Sequence, residues 1–124
     1  MSTHELPVLR SRGTCCAVDP AVSWVAAEAA AEQLRLLADP TRLSMLATLW
    51  STREPVCVCD FVAAYELGQP TISHHMSKLR RAGLVEADKA GVWTYYRAVE
   101  PLPRLVESVL SALGAERAAP HPAR

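Results

Sequence analysis

Long apolar runs are missing from this chain. No stretch approaches the length of a membrane span, and the N-terminus lacks a signal-peptide hydrophobic region, so a cytoplasmic protein with reduced thiols and no membrane partner is expected. Aromatic residues are scarce: a single Phe stands among 124 residues, and nine Pro punctuate the rest, which suggests small, helix-dominated packing. Net charge is lacking too, because 13 Lys and Arg balance 13 Asp and Glu. That balance argues against indiscriminate binding to polyanions, although a neutral chain still carries local basic surface. There is no Gly-rich phosphate loop, no nucleophile elbow and no paired-carboxylate spacing. Cys57-Val58-Cys59 is not a Cys-x-x-Cys redox motif, and no βαβ pattern surrounds it. An enzyme is therefore not expected.

What is present is concentrated in residues 68–81. Ile72, Met76 and Leu79 fall at helical spacing and form one apolar face. Thr71, Ser73, His74, His75, Ser77, Lys78 and Arg81 fill the remaining surface with hydroxyls, imidazoles and cations, and with no carboxylate. Such side chains donate to phosphate oxygens and base edges, while a carboxylate would repel the phosphate backbone. Pro70 suits the first helical turn and Gly83 the exit. His74 and His75 diverge by ~100° on a helix, too far to grip one ion together. Lys78, Arg80 and Arg81 suit phosphate contact, or remain solvated as most charged helix faces do.

Apolar residues make up 50% of the chain, enough for one domain with one core. Residues 1–19 read as a mobile arm carrying Cys15 and Cys16, residues 20–113 as the folded domain, and 114–124 as a frayed tail. Residues 20–38 suggest a helix or two. Asp39-Pro40 caps and starts the next helix, with Leu43, Leu46, Ala47 and Trp50 at i, i+3, i+4 and i+7. Ser51 to Pro55 reads as a loop. Asp60 is expected to cap a short helix, Phe61 to Glu66. A tight turn at Leu67-Gly68-Gln69 then leads into the 68–81 helix, a helix-turn-helix arrangement. Leu84 to Lys89 and Val92 to Val99, joined by Ala90-Gly91, read as a hairpin, the wing. Lys89 near its tip and Arg97 are candidate DNA contacts, while Trp93, Tyr95 and Tyr96 suit packing. Leu102, Leu105, Val106, Val109, Leu110 and Leu113 mark a last amphipathic helix. The fold class expected is mainly α with a small β-hairpin.

The text Leu37-Ala-Asp-Pro-Thr-Arg-Leu43, Cys57-Val-Cys-Asp60 and Gln69-Pro-Thr-Ile-Ser-His-His75, followed by Gly91-Val-Trp-Thr-Tyr-Tyr-Arg97, resembles the arsenic-repressor (ArsR/SmtB) family of winged-helix metal sensors. The resemblance implies a homodimeric repressor that binds double-stranded operator DNA and leaves it when metal binds. Trp24, the Ala-rich segment and the last helix would then serve dimerisation, and two recognition helices would stand about 34 Å apart. By the family pattern Ser73 and His74 occupy the most characteristic reading positions, with Gln69 and Thr71 near the start of the motif.

Four cysteines, Cys15, Cys16, Cys57 and Cys59, are more in keeping with ligands or sensors than with disulfides in a reducing compartment. As isolated residues they would read as small apolar core, but here they form two pairs. Cys57 and Cys59 would point the same way in an extended segment, yet stand roughly 200° apart if both lay in a helix. Capture of both by one soft ion is thus expected to distort or unwind the helix start. No cysteine follows Asp60 closely, so the arm must supply any third sulfur. Thiolates favour soft ions, and the Cys-Val-Cys-Asp context resembles the arsenic branch, so As(III), with Sb(III), is the expected inducer. Cd(II) or Pb(II), or thiol oxidation, are the alternatives, with a thiol protein lacking any DNA role behind them. The zinc- and nickel-sensing pattern is absent from the last helix, which offers Glu100, Arg104, Glu107 and Ser108 and no His before His121.

Overall fold

The computed structural model describes residues 18–118. Cys15 and Cys16 lie outside the described residues. Five helices and three strands follow in the order α1 (Trp24–Leu37), α2 (Pro40–Thr52), β1 (Val56–Cys57), α3 (Val58–Tyr65), α4 (Gln69–Arg81), β2 (Val85–Ala90), β3 (Trp93–Ala98) and α5 (Arg104–Ala112). The strands form one antiparallel sheet in the order β1-β3-β2. The architecture is a winged helix: mostly helical, with the β2–β3 hairpin as the wing.

Residues 20–38 hold one helix rather than two. Ser23 caps it, its Oγ accepting from Ala26 N at 3.1 Å, and Leu37 is its one fully buried side chain. Asp39 caps α2 as expected. Its Oδ1 accepts from Arg42 N at 3.0 Å, and Pro40 occupies the first turn. That bond holds the Asp39 carboxyl below its ordinary value, with Arg42 charge reinforcing it against a smaller effect of burial. Because the folded-state value is depressed, this contribution is present above the unfolded value of about 4 and is lost as pH falls through the lower folded one. Asp39→Ala is expected to cost about 1 kcal/mol at neutral pH and to make that part of the acid sensitivity disappear, as read from urea midpoints between pH 7 and pH 2.

Three sequence expectations are corrected here. The helix expected at Phe61 begins at Val58, with Cys57 as its N-cap in extended conformation. Asp60 is therefore not the cap but the third helical residue, and it reaches back to accept from Cys57 N at 3.2 Å. The loop expected at Ser51 to Pro55 is shorter, since Ser51 and Thr52 close α2, and a short unexpected strand, β1, follows it at Val56–Cys57. The wing turn sits one residue later than expected, at Gly91-Val92, because Ala90 pairs with Trp93. Gly91 takes φ +64°, the positive value that a two-residue hairpin turn requires at its first central position.

The core gathers Met45, Leu46 and Leu49 of α2, Phe61 of α3, Ile72, Met76 and Leu79 of α4, Leu84 and Val85 leading into the wing, and Val106 and Leu110 of α5. Tyr96 joins it from β3, whereas Trp93 at the wing tip stays half exposed. The apolar face read from residues 72, 76 and 79 is thus the one that fixes the rotation of α4. Each such side chain contributes roughly 1.5–3 kcal/mol by leaving water.

Candidate nucleic-acid interface and thiol pair

The turn between α3 and α4 is made by Glu66, Leu67 and Gly68. The left-handed residue is Glu66, at φ 54°, while Gly68 is an extended N-cap at φ −68°, ψ 154°. Leu67 packs against the core and so sets the angle at which α4 leaves the turn.

With the apolar side of α4 committed to the core, its opposite side is determined. At 100° per residue, Thr71, His74, Lys78 and Arg81 fall within a stripe roughly 80° wide, centred well away from Ile72, Met76 and Leu79. All four are exposed. Gln69 is exposed at the helix start, and Ser73 and Ser77 are half-buried on one flank. Lys78, Arg80 and Arg81 occupy the last turn, where cations also complement the helix dipole.

His75 is on the other flank, half-buried. Its Nδ1 lies 3.3 Å from Arg42 Nη1. Burial pushes the imidazole below its ordinary value, and the Arg42 charge adds to this against the opposing pull of Asp39. A neutral ring accepting from Arg42 satisfies both observations. Arg42 Nε also donates to Leu36 O at 2.8 Å, so one guanidinium ties the end of α1, the start of α2 and the middle of α4. Sequence reasoning missed this tie, since nothing local relates positions 42 and 75.

On the wing, Lys89 is exposed two residues before Gly91. Arg97 is exposed but engaged: its Nη2 lies 2.8 Å from Glu86 Oε2 and 3.8 Å from Asp88 Oδ2. Glu86 is its direct cross-strand partner. Two neighbouring carboxylates reduce what Arg97 offers to a phosphate.

The thiol pair departs most from expectation. Cys57 ends β1, where it pairs with Tyr95 of the wing, and Cys59 is in the first turn of α3. Because Cys57 keeps an extended backbone, the roughly 200° separation of two helical positions does not apply. Cys59 Sγ donates to Cys57 Sγ at 2.8 Å. That bond, with smaller effects of burial and of the Cys57 and Asp60 charges, raises the Cys59 thiol above its ordinary value. The sulfurs therefore meet with α3 intact, and no unwinding is needed to bring them together. Cys57 is buried and Cys59 exposed. Around Cys59 a cleft of about 250 Å³ is lined by Val58, Val62, Gln69 of α4, and Val92 and Trp93 of the wing tip. Among the described residues no set of three or more His, Cys, Asp or Glu side chains is placed to hold a metal ion. The pair supplies two soft donors.

Known proteins share this winged helix-turn-helix fold. Residues 39–87 match the model for bacterial regulatory proteins of the arsR family. An HTH-type transcriptional regulator of Methanocaldococcus jannaschii, MJ1325, is 42% identical over 73 residues, covering 59% of this chain and 81% of that protein. The chain belongs to the arsR family. The arsenic resistance transcriptional regulator ArsR1 of Pseudomonas putida is 41% identical over 80 residues, which span 64% of this chain and 61% of the relative. Among solved structures, HlyU from Vibrio cholerae superposes with a TM-score of 0.63 at 25% identity, covering 73% of this chain and 94% of HlyU. This arsR-family protein is accordingly a DNA-binding transcriptional regulator and not an enzyme. No helix among its described residues is long and apolar enough to cross a membrane.

Proposed function

We propose that this arsR-family regulator is a homodimeric repressor that holds operator DNA in its thiol-reduced form and releases it when As(III) is captured by Cys57, Cys59 and a sulfur of the arm, Cys15 or Cys16. The observation that carries the reading is the 2.8 Å approach of Cys57 and Cys59 at the cap of α3. Arsenite supplies a trivalent, thiophilic centre. The two sulfurs fit it as soft donors, and a third thiolate completes the valence. The name of the Pseudomonas putida relative favours arsenic over other soft ions.

The protein's own part is mechanical. Cys57 is at once the cap of α3, the end of β1 and the partner of Tyr95 in the wing. A soft ion held by both sulfurs would fix their separation and direction at this cap, and that constraint is what the wing and α4 would receive.

Operator contact is assigned to Thr71, His74, Lys78 and Arg81, with Gln69 at the helix start, Ser73 and Ser77 on the flank, and Lys89 on the wing. His75 and Arg97 serve chiefly through their protein partners. Dimerisation is assigned to α1: Trp24, Val25 and Leu34 are exposed there, with Leu113 after α5. Exposed apolar side chains suit burial against a second copy.

The test is a fluorescent operator titrated with the protein, then with As(III), Sb(III), Cd(II), Pb(II) or an oxidant. Release at the lowest dose by As(III) and Sb(III) is expected; preferential release by Cd(II) or Pb(II), or by oxidation alone, would move the signal elsewhere. Replacing both Cys15 and Cys16 by Ser should raise the arsenite dose for half-release at least tenfold, and an unchanged dose would remove the arm from the site.

A further inference from the structure

His75 lies between the exposed stripe of α4 and its apolar face, one turn after Thr71 and one turn before Lys78. Ile72, Met76 and Leu79 are fully buried, but apolar burial carries no directional bond. A hydrogen bond does. Among the described residues, the one side-chain hydrogen bond from α4 to another element is that of His75 with Arg42, at 3.3 Å. Arg42 is itself held at two further points: its Nε donates to Leu36 O near the end of α1, and its backbone N donates to the Asp39 cap. The anchor is thus fixed on the α1–α2 junction before it meets the reading helix.

This contact needs one protonation state. Arg42 offers donors only and keeps its charge, so His75 Nδ1 accepts and the ring proton is on Nε2. A doubly protonated ring has two donors and no acceptor, and it would set a second cation against Arg42. The charged groups bearing on the ring are Asp39 and Arg42 from α2 and His74 and Lys78 from its own helix; α1 presents the Leu36 carbonyl, which Arg42 engages. Burial first, and then Arg42, His74 and Lys78, hold the imidazole below its ordinary value against the pull of Asp39. The docked arrangement therefore disfavours the proton. By linkage the proton disfavours the docked arrangement, from the ordinary value of about 6.5 downward.

We infer that His75 is the positioning residue of the reading helix: as a neutral acceptor for Arg42 it fixes the rotation of α4 on the α1–α2 junction, and a proton on its Nδ1 releases that rotation and weakens operator recognition. The role rests on the assignment of α4 as the operator-contacting helix. Thr71 and Lys78, the stripe residues one turn to either side, are the contacts that a rotation at His75 displaces first.

A labelled duplex selected from a random pool by the parent protein at pH 7.5 provides the test, with an unrelated duplex as reference, at matched ionic strength and well below the thermal transition. The ratio of the two affinities is followed from pH 7.5 to pH 5.5 for the parent, His75→Ala and His75→Gln. At pH 7.5 His75→Ala should lose about tenfold in that ratio, and His75→Gln, whose amide oxygen also accepts, should recover much of the loss. Toward pH 5.5 the parent's ratio should fall about threefold further than that of His75→Gln; titration of His74 is common to both and cancels in the comparison. Parallel pH profiles for the parent and His75→Gln, or a loss in His75→Ala that only follows its unfolded fraction by circular dichroism, would overturn the positioning role. A parental ratio that rises with acid relative to His75→Gln would put the ring on a phosphate and overturn it equally. A parent that selects no duplex at all overturns the operator-reading assignment of α4, and this role with it.

Discussion

Cys59→Ser is expected to bind operator DNA as the parent does and to ignore arsenite. For the parent, saturating arsenite should weaken operator affinity about 100-fold, a coupling of about 3 kcal/mol, and reciprocity requires the operator to weaken arsenite binding by the same factor. In the variant that ratio should fall to about one. Cys59 is exposed and its Sγ bonds to the neighbouring sulfur, so a hydroxyl in its place leaves α3 and the core untouched. Cys57→Ser should behave alike for a different reason: Ser is among the preferred N-cap residues, so α3 retains its start although the buried sulfur is gone. Anisotropy of a labelled operator, with and without arsenite, measures both. Release of either variant at the parental dose would detach these thiols from the response.

His74→Ala combined with Lys78→Ala should give the second large effect, a loss of operator binding with the fold retained. A base-edge contact by His74 is worth about 1–3 kcal/mol of discrimination, and loss of one phosphate contact at Lys78 should lower the salt slope by about 1. Both side chains are exposed, so stability should change by less than about 0.5 kcal/mol. Anisotropy at several salt concentrations separates the two contributions: the Lys78 loss applies to any duplex, the His74 loss to the operator alone. Unchanged affinity and slope would place the DNA against a different surface.

Much of this was legible from periodicity. The spacing of Ile72, Met76 and Leu79 decides which side of α4 faces inward, and therefore which side faces out. Asp39-Pro40 announced the start of α2 because cap and first-turn chemistry are local. What escaped was non-local or depended on a single backbone conformation. β1 is two residues long and exists through its pairing with β3, which no window of sequence displays. Sequence left two geometries open for the two sulfurs, extended or helical, and the placement of Cys57 in the cap decides between them, because one extended residue changes where a side chain points. The Arg42–His75 contact joins positions far apart in the chain, and composition alone does not reveal such partners.

Because Cys57 belongs to a strand that neighbours a hairpin, chain length ahead of it matters as much as its element. Successive strand residues face opposite sides. If one residue inserted between Arg53 and Val56 shifted the pairing of β1 with β3 by one, every thiol and every side chain of the exposed α4 stripe would be preserved, yet the position now held by Cys57 would face the other side of the sheet. A chain altered in this way would keep its full chemical vocabulary with its two sulfurs parted, so natural variation in this short connector is expected to be in composition and not in length.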